Sequence, residues 1–156
     1  MQLRGTQIVV DSIQAKRNVI SGSGATASLS EAQSGSLCLF DRAAGIVFTL
    51  PTTPTPGTYY DFMVVTTITS NAAKIITGSG TELLIGNVVN VDTDTSNAVA
   101  AWTGNGSTHI SVSMNGTTTG GIHGTKLRFT CLSSTRWFVE GIIAGSGVVA
   151  TPFATS

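Results

Sequence analysis

The chain has 156 residues with eight basic and eight acidic side chains, so its formal net charge is zero and charged residues make up only 10% of it. This length suits one domain with one core, which needs neither a metal nor a disulfide for stability. Lys16-Arg17 is the only adjacent basic pair, so the composition disfavours nucleic-acid binding. A surface with so few charges favours association, as in a protein that belongs to an assembly.

Residues 1–27 are predicted to form an N-terminal arm and a flexible connector. The apolar run I-V-V is followed at once by Asp11, which does not fit a signal peptide. No segment reaches the roughly 18 apolar residues of a membrane span, so we expect a protein made in a cytoplasm and no membrane partner. Ile8 to Val10 either add a strand to a neighbour or fold back on their own domain. Residues 18–27, rich in Gly and Ser, are predicted to be flexible.

Residues 28–143 are predicted to form an all-β domain, a jelly-roll-like antiparallel β-sandwich. Short β-branched or aromatic runs are bounded by Gly, Pro, Asn and Asp, and their spacing of about 8 to 14 residues is typical of a sandwich or barrel. Only residues 28–33 could form a helical turn, with Ser30 as its cap. The predicted strands are 7–13, 36–41, 45–50, 58–67, 73–77, 82–91, 98–103, 107–114, 125–132 and 135–143.

Turn chemistry supports this strand map. Gly45 ends a turn between two of the runs and is free to take a positive φ. Asn105-Gly106 predicts a hairpin between A-V-A-A-W and H-I-S-V-S-M, and Ser133-Ser134 predicts a second hairpin. In the strand 58–67, Tyr60, Phe62 and Val64 share one face. Because that strand is apolar on both faces, we expect it to be central or covered by a neighbouring subunit.

The two cysteines lie inside strand-like apolar runs, Cys38 in L-C-L-F and Cys131 in F-T-C-L. We interpret both as small buried apolar residues. A disulfide and a reactive thiol are the alternatives.

The sequence nominates no catalytic, cofactor or metal site. Neither His109 nor His123 has a carboxylate or cysteine at metal-ligand or triad spacing, so both are interpreted as hydrogen-bonded structural histidines. Residues 92–97, D-T-D-T-S-N, resemble the start of a calcium loop but lack its Gly and its final Glu. A solvated turn or an irregular calcium site are the two interpretations. G-G-I-H-G-T-K at 120–126 fails as a phosphate loop because Gly and Lys are not adjacent.

The aromatic residues Trp102, Trp137, Tyr59 and Tyr60 are interpreted as core or interface rings, with a sugar-binding platform as the alternative. Residues 144–156 are predicted to be a C-terminal tail that packs only against a partner. Its apolar side chains are Val148, Val149 and Phe153.

One long phrase of the sequence resembles a known class of protein. S-L-S-E-A-Q-S-G-S-L-C-L-F-D-R-A-A-G-I-V-F-T-L-P is followed by G-T-Y-Y-D-F-M-V-V and then by T-S-N-A-A-K-I-I-T and L-L-I-G. These segments lie within residues 28–90, and W-F-V-E-G at 137–141 is a further short match. Together they resemble small β-rich structural proteins of tailed bacteriophages. A compact chain without fibre repeats is most similar to a head decoration, or cement, protein.

This resemblance implies a non-enzymatic virion protein that binds the major capsid protein on the outside of the shell as a homotrimer and stabilises it. The alternatives are a tail-associated module that binds a receptor or glycan and, third, an enzyme, for which no residue is nominated. The candidate contacts with the shell or with neighbouring copies are the apolar residues of the arm and tail: Leu3, Ile8, Val9, Val10, Val148, Val149 and Phe153.

Overall fold

The computed structural model describes residues 16–22, 24–94 and 99–156, which form two β-sheets packed face to face. The predicted all-β sandwich is therefore confirmed. The strands are β1 (Val19–Ser21), β2 (Thr26–Ser28), β3 (Leu37–Phe40), β4 (Val47–Thr49), β5 (Tyr59–Val64), β6 (Ala73–Ile76), β7 (Leu83–Asp92), β8 (Val99–Asn105), β9 (Ser111–Met114), β10 (Lys126–Ser133), β11 (Arg136–Gly145) and β12 (Phe153–Ala154).

The large sheet has seven strands in the order β1-β3-β5-β10-β11-β7-β8, and the small sheet has five in the order β12-β9-β6-β4-β2. From β1 to β6 the chain alternates between the two sheets, so odd-numbered strands enter the large sheet and even-numbered strands the small one. Each strand then lies parallel to the one two places earlier. This part of the molecule is a coil of three turns.

The sheets are mixed, which corrects the prediction of an antiparallel jelly roll. Parallel neighbours need a long crossover connection, and here the crossover is the strand that passes through the opposite sheet. β11 and β7 are also parallel, whereas β10 pairs with both β5 and β11 in the antiparallel sense. The jelly-roll prediction assumed hairpins between successive runs, and the coil contains none.

An aromatic cluster fills the space between the sheets. Phe48 of the small sheet meets Phe40 edge-on at 5.0 Å between ring centroids and Phe62 at 5.5 Å, and Phe62 meets Phe129 at 5.4 Å. Such edge-to-face pairs add to the stabilisation from burying the rings themselves. Because strand side chains alternate between faces, the buried residues Tyr60, Phe62 and Val64 share the core face of β5, as predicted. β5 is also central, between β3 and β10.

The predicted strands from 36–41 onwards all correspond to observed strands, and the predicted strand 7–13 lies outside the described residues. The turn at 28–33 is a short 3-10 helix, Glu31–Gln33, in which the Ser30 N–H donates to Gln33 Oε1 at 2.9 Å. The Ser133-Ser134 hairpin is confirmed by the antiparallel pair β10–β11. Among the described residues no helix is long or apolar enough to cross a membrane.

Three features differ from the sequence-based map. The expected connector, 18–27, contains β1 and the first two residues of β2, and both are three-residue edge strands. The expected tail, 144–156, packs on its own domain through β12, which pairs with β9. The Asn105-Gly106 turn joins β8 of the large sheet to β9 of the small one, so it forms no hairpin. Asn105 Oδ1 instead accepts bonds from the next backbone N–H groups and turns the chain between sheets.

Candidate binding surfaces

The described residues contain no cluster of three or more His, Cys, Asp or Glu side chains that could hold a metal ion. His109 accepts a 3.2 Å hydrogen bond at Nδ1 from the Asn105 N–H and stacks on the Phe153 ring with centroids 5.4 Å apart. His123 Nδ1 lies 3.0 Å from Thr67 Oγ1. Both histidines therefore have the hydrogen-bonded surroundings predicted for them.

The resemblance to a calcium loop begins at the end of β7. Asp92 Oδ1 accepts the Asp94 N–H at 3.0 Å, and Asp94 Oδ2 accepts the Gly147 N–H at 2.8 Å. These bonds join the end of β7 to the turn after β11. Residues 95–97 of the motif lie outside the described residues.

Both cysteines are free and buried, as predicted. Burial raises the pKa of the Cys38 thiol to about 12 and also raises the pKa of Cys131. The thiolate is the reactive form of cysteine, so these surroundings support a structural role for both residues.

The aromatic residues are covered rather than exposed. Trp137 and Tyr60 lie in the core, and the Tyr60 hydroxyl donates to the Ser30 carbonyl at 2.8 Å. Trp102 is half-buried against the core, and Tyr59 is half-buried with the Arg128 guanidinium 5.0 Å above its ring. Every exposed large apolar side chain in the described part of the chain is aliphatic. A sugar platform of exposed rings therefore has no counterpart there.

The predicted contact residues have different placements. The arm residues Leu3, Ile8, Val9 and Val10 lie outside the described residues. In the tail, Val148 is 89% exposed, Val149 is half-buried, and Phe153 is buried in the protein's own core. In this fold the Phe153 side chain is not available to a partner, because it is part of the buried core and stacks on the His109 ring.

The exposed aliphatic side chains concentrate on the outer face of the large sheet, which is the side turned away from the small sheet. Eight large apolar side chains are exposed among the described residues. Of these eight, Val65 directly follows β5 and Val148 belongs to the tail. The remaining six lie within strands of the large sheet: Val19, Val89, Val91, Val99, Leu132 and Ile142.

Strand register arranges this outer face in rows. One row is apolar except for a lysine and consists of Leu39, Met63, Lys126, Ile142, Val89 and Ala101. Nearer the carboxyl end of β11, a second row consists of Ala144, Val91 and Val99. The turn that carries Val148 begins just after β11, so the exposed tail residue lies at the same end of the sheet. Register thus gathers residues that are far apart in sequence into one apolar surface.

A polar row runs beside the apolar one and contains a buried carboxylate, Asp61, which is 1% exposed. Arg128 binds both carboxylate oxygens of Asp61, at 2.7 Å through Nε and at 2.8 Å through Nη2. Arg17 Nη1 lies 2.7 Å from Asp61 Oδ2, and its other nitrogens donate to the Gly35 and Ser36 carbonyls. The row comprises Leu37, Asp61, Arg128, Glu140, Asn87 and Thr103.

The two arginines set the protonation of this carboxylate. Hydrogen bonds from Arg128 and then Arg17 lower the pKa of Asp61, although burial acts in the opposite direction. Such bonds favour the charged form of a carboxylate. Asp61 is therefore ionised at neutral pH and neutralised within the sheet.

A depression of about 560 Å³ lies beside this ion pair on the outer face. Lys126, Arg128, Glu140 and Ile142 line it, together with Gly141. Gly141 has a φ of +146°, and a Cβ there would come within 2.2 Å of the Lys126 carbonyl oxygen. Only glycine allows β10 and β11 to approach so closely at this position.

No single stretch of the sequence indicates the outer face as a whole. One signal was present, because Asp61 is the only charge in the buried run Y-Y-D-F-M-V, and a buried charge is seldom unpaired. Both partners are distant in sequence: strand register places Arg128 beside it, and Arg17, which precedes β1, reaches it only in the folded chain.

The comparisons with known proteins add no family assignment: no protein-family model matches the chain. No curated protein and no solved structure matches it.

Proposed function

We propose that the protein is a non-enzymatic virion structural protein, which binds the outside of a tailed-phage capsid as a trimer and stabilises the shell. The outer face of the large sheet is the proposed contact surface with the major capsid protein, together with the arm residues nominated from the sequence. The single observation that carries the proposal is the concentration of exposed aliphatic side chains on this one face.

An exposed apolar surface of this kind is unusual on a protein that acts alone. Scattered exposed apolar residues need no explanation, but contiguous ones mark interaction surfaces. Ile142 is 54% exposed and Val99 is 68% exposed, and register connects their rows across β11, β7 and β8. Covering these side chains with a partner removes apolar surface from water, which is the main favourable term in most protein association.

The charges of the polar row are arranged so that covering this row carries little electrostatic penalty. Desolvating an unpaired charge is strongly unfavourable, but Asp61 is already buried and already paired with two arginines. Glu140 lies opposite Arg128 in the register of β10 and β11. The charges of the polar row are therefore largely balanced, whereas Lys126 of the apolar row is a further cation that a partner must pair or leave in water.

The mechanism is mass action on the assembled shell. A ligand that binds only the assembled state stabilises that state. A trimer that engages several capsid subunits at once gains avidity, so modest affinity at each contact is sufficient.

The test has two parts. First, native virions are labelled with a gold-conjugated antibody against the protein, and gold over the head is expected. Second, binding to undecorated shells is measured for Ile142→Lys, which places a charge in the apolar row, and for Thr26→Lys, which places the same charge at an exposed position on the outer face of the small sheet. We expect Ile142→Lys to weaken binding at least tenfold and Thr26→Lys to leave it nearly unchanged.

A deletion of residues 1–12 tests the arm separately. It should abolish shell binding while the thermal unfolding of the domain is unchanged. Gold confined to the tail, or equal shell binding by wild type and both variants, contradicts the decoration proposal.

The depression beside Asp61 supports a second candidate, a tail-associated module that binds a receptor or glycan. Lys126, Arg128 and Glu140 could offer hydrogen bonds to sugar hydroxyls there, and Gly141 leaves the backbone accessible. Gold on the tail together with glycan binding that Glu140→Gln abolishes would favour this function over decoration.

A further inference from the structure

The two sheets have four edge strands, and one of them differs from the other three. β1 and β2 have three residues each and β12 has two. β8 has seven residues, V-A-A-W-T-G-N, without a charge or a proline. Its register with β7 runs from Asn105 to Val99 without a bulge. Proteins usually protect an edge by keeping it short or by adding charge, proline or a bulge, and β8 has none of these.

The backbone of β8 has hydrogen-bonding groups directed outward. The Gly106 N–H donates to the Leu84 carbonyl at 3.0 Å, so these two residues form a hydrogen-bonded pair of the antiparallel ladder. Such pairs alternate with pairs that make no bond to each other. By that alternation the N–H and C=O groups of Val99, Ala101 and Thr103 point away from β7. No backbone hydrogen bond to another described residue is made by these groups.

We propose that the β8 edge pairs in the antiparallel sense with β8 of a second copy of this chain, around a two-fold axis at Ala101. In this pairing Ala101 lies opposite the partner's Ala101, and Val99 lies opposite the partner's Thr103. Each of these pairs uses outward-directed groups from both strands, so each exchanges both of its hydrogen bonds. The two large sheets become one continuous sheet.

The chemistry of the edge favours a second copy over a different partner. A two-fold contact places the residue on the axis opposite its own copy, so a charge at position 101 would face a like charge, and a charge elsewhere in the strand would be repeated close to the axis. β8 contains no charge, and the whole chain has a formal net charge of zero, so two copies approach without repulsion. A partner recognised by charge would find no complementary group on this strand.

The contact also joins the apolar rows of the two outer faces. Val89 and Ala101 occupy one row, and Val91 and Val99 occupy the other, so the rows reach the β8 edge and continue into the partner. A seven-residue edge buries less than the roughly 800 Å² per partner of a standard interface. The dimer is therefore weak and reversible. A two-fold contact of this kind is separate from the trimer contact of the proposed function and does not depend on it.

The test is sedimentation equilibrium of the purified full chain over a range of concentrations. The wild type is expected to shift from monomer mass towards dimer mass as concentration rises. Ala101→Pro removes an outward N–H but no bond to β7, so it should keep the protein monomeric at every concentration. Ala101→Lys places like charges on the axis and should also keep the protein monomeric. It provides the test if the proline variant fails to fold. Thr26→Lys, on the edge strand of the small sheet, is the matched control and should dimerise like the wild type.

Hydrogen exchange gives a second readout on the wild type. The amides of Val99, Ala101 and Thr103 should exchange more slowly at high concentration than at low concentration, whereas those of Ala100 and Trp102, which face β7, should change much less. A wild type that stays monomeric throughout, or an assembly unaffected by both Ala101 variants, overturns the proposal.

Discussion

The outer faces of the two sheets have opposite compositions, although the sheets share one core. On the large sheet two rows are formed mainly by Val, Ile, Leu and Ala, beside one polar row that holds the Asp61 ion pair. On the small sheet the corresponding rows are rich in hydroxyl groups: Thr26, Val47, Lys74 and Ser113 in one, and Ser28, Thr49, Ile76, Ser111 and Ala154 in the other. The core requires apolar residues only on the inner faces, so folding alone does not explain the difference.

The chain's own C-terminus accounts for part of the small sheet's outer face. The Ser111 hydroxyl and the Lys74 ammonium both donate to the Ser156 carbonyl, at 2.7 and 3.0 Å. That face is therefore polar and partly occupied by its own chain. The large sheet presents apolar side chains with no segment from the described residues over its centre, which is why we assign the binding role to it.

The largest effect is expected from breaking the buried ion pair on the large sheet. Asp61→Ala leaves Arg17 and Arg128 without their carboxylate, and loss of one partner from a buried pair is strongly destabilising. Because both arginines are partly exposed, we expect the free energy of unfolding to fall by about 2–4 kcal/mol. Urea denaturation at neutral pH measures the change.

Lys74→Ala is the matched control on the small sheet. Within the described part of the chain its ammonium makes one hydrogen bond, an exposed one to the Ser156 carbonyl, so the expected change is within about 0.5 kcal/mol. Equal losses for the two variants would show that Asp61 has no special role in stability.

The pH dependence of stability sharpens the same contrast. The pKa of Asp61 is lower in the folded protein than in the unfolded chain. The stabilisation is therefore fully present above pH 3.9, which is about the pKa of an aspartate in the unfolded chain. It is lost as the pH falls through the pKa of Asp61 in the folded protein. Between pH 6 and pH 2 the wild type should lose more stability than Asp61→Asn.

Glu31 serves as the internal reference for that experiment. Its pKa is also lowered, by hydrogen bonds from Thr55, and the group is present in both proteins. Its contribution cancels in the difference between wild type and Asp61→Asn. Parallel stability curves for the two proteins would contradict the assignment of the acid-sensitive term to Asp61.

The strand map could be predicted from sequence because each long strand carries its own signal. β5, with Tyr60, Phe62 and Val64 on one face, and β7, with its run of Leu, Ile and Val, are bounded by turn residues. The edge strands β1 and β2 were missed because three residues flanked by glycines have too little pattern to distinguish a strand from a linker. Phe153 was assigned to a partner because nothing local shows that β12 adds to β9.

Strand order could not be predicted, and the binding face depends on it. Asn105-Gly106 is a strong hairpin signal, yet its strands belong to different sheets, because β8 pairs with β7 and β9 with β6. The sequence specifies which residues of a strand share a face, but the neighbours across the sheet come from long-range pairing. The row that joins Met63, Lys126, Ile142 and Val89 therefore has no counterpart in any single stretch of sequence.

The smallest expected effect tests the apolar character of the two faces directly. Ile142→Thr keeps a β-branched residue in its strand and removes apolar surface from a side chain that is 54% exposed. The free energy of unfolding should change by no more than about 0.5 kcal/mol, while retention on a hydrophobic-interaction column should shorten. Ile76→Thr, on the small sheet, is the matched change.

Because Ile76 is half-buried and its row is rich in Ser and Thr, its replacement should alter retention less than that of Ile142 and stability more. The two variants therefore separate what each face contributes: solvent-exposed apolar surface on the large sheet and packing on the small one. Equal shifts in retention would mean that the exposed aliphatic side chains of the large sheet do not act together as one surface. That result would contradict the assignment of the binding surface to the outer face of the large sheet.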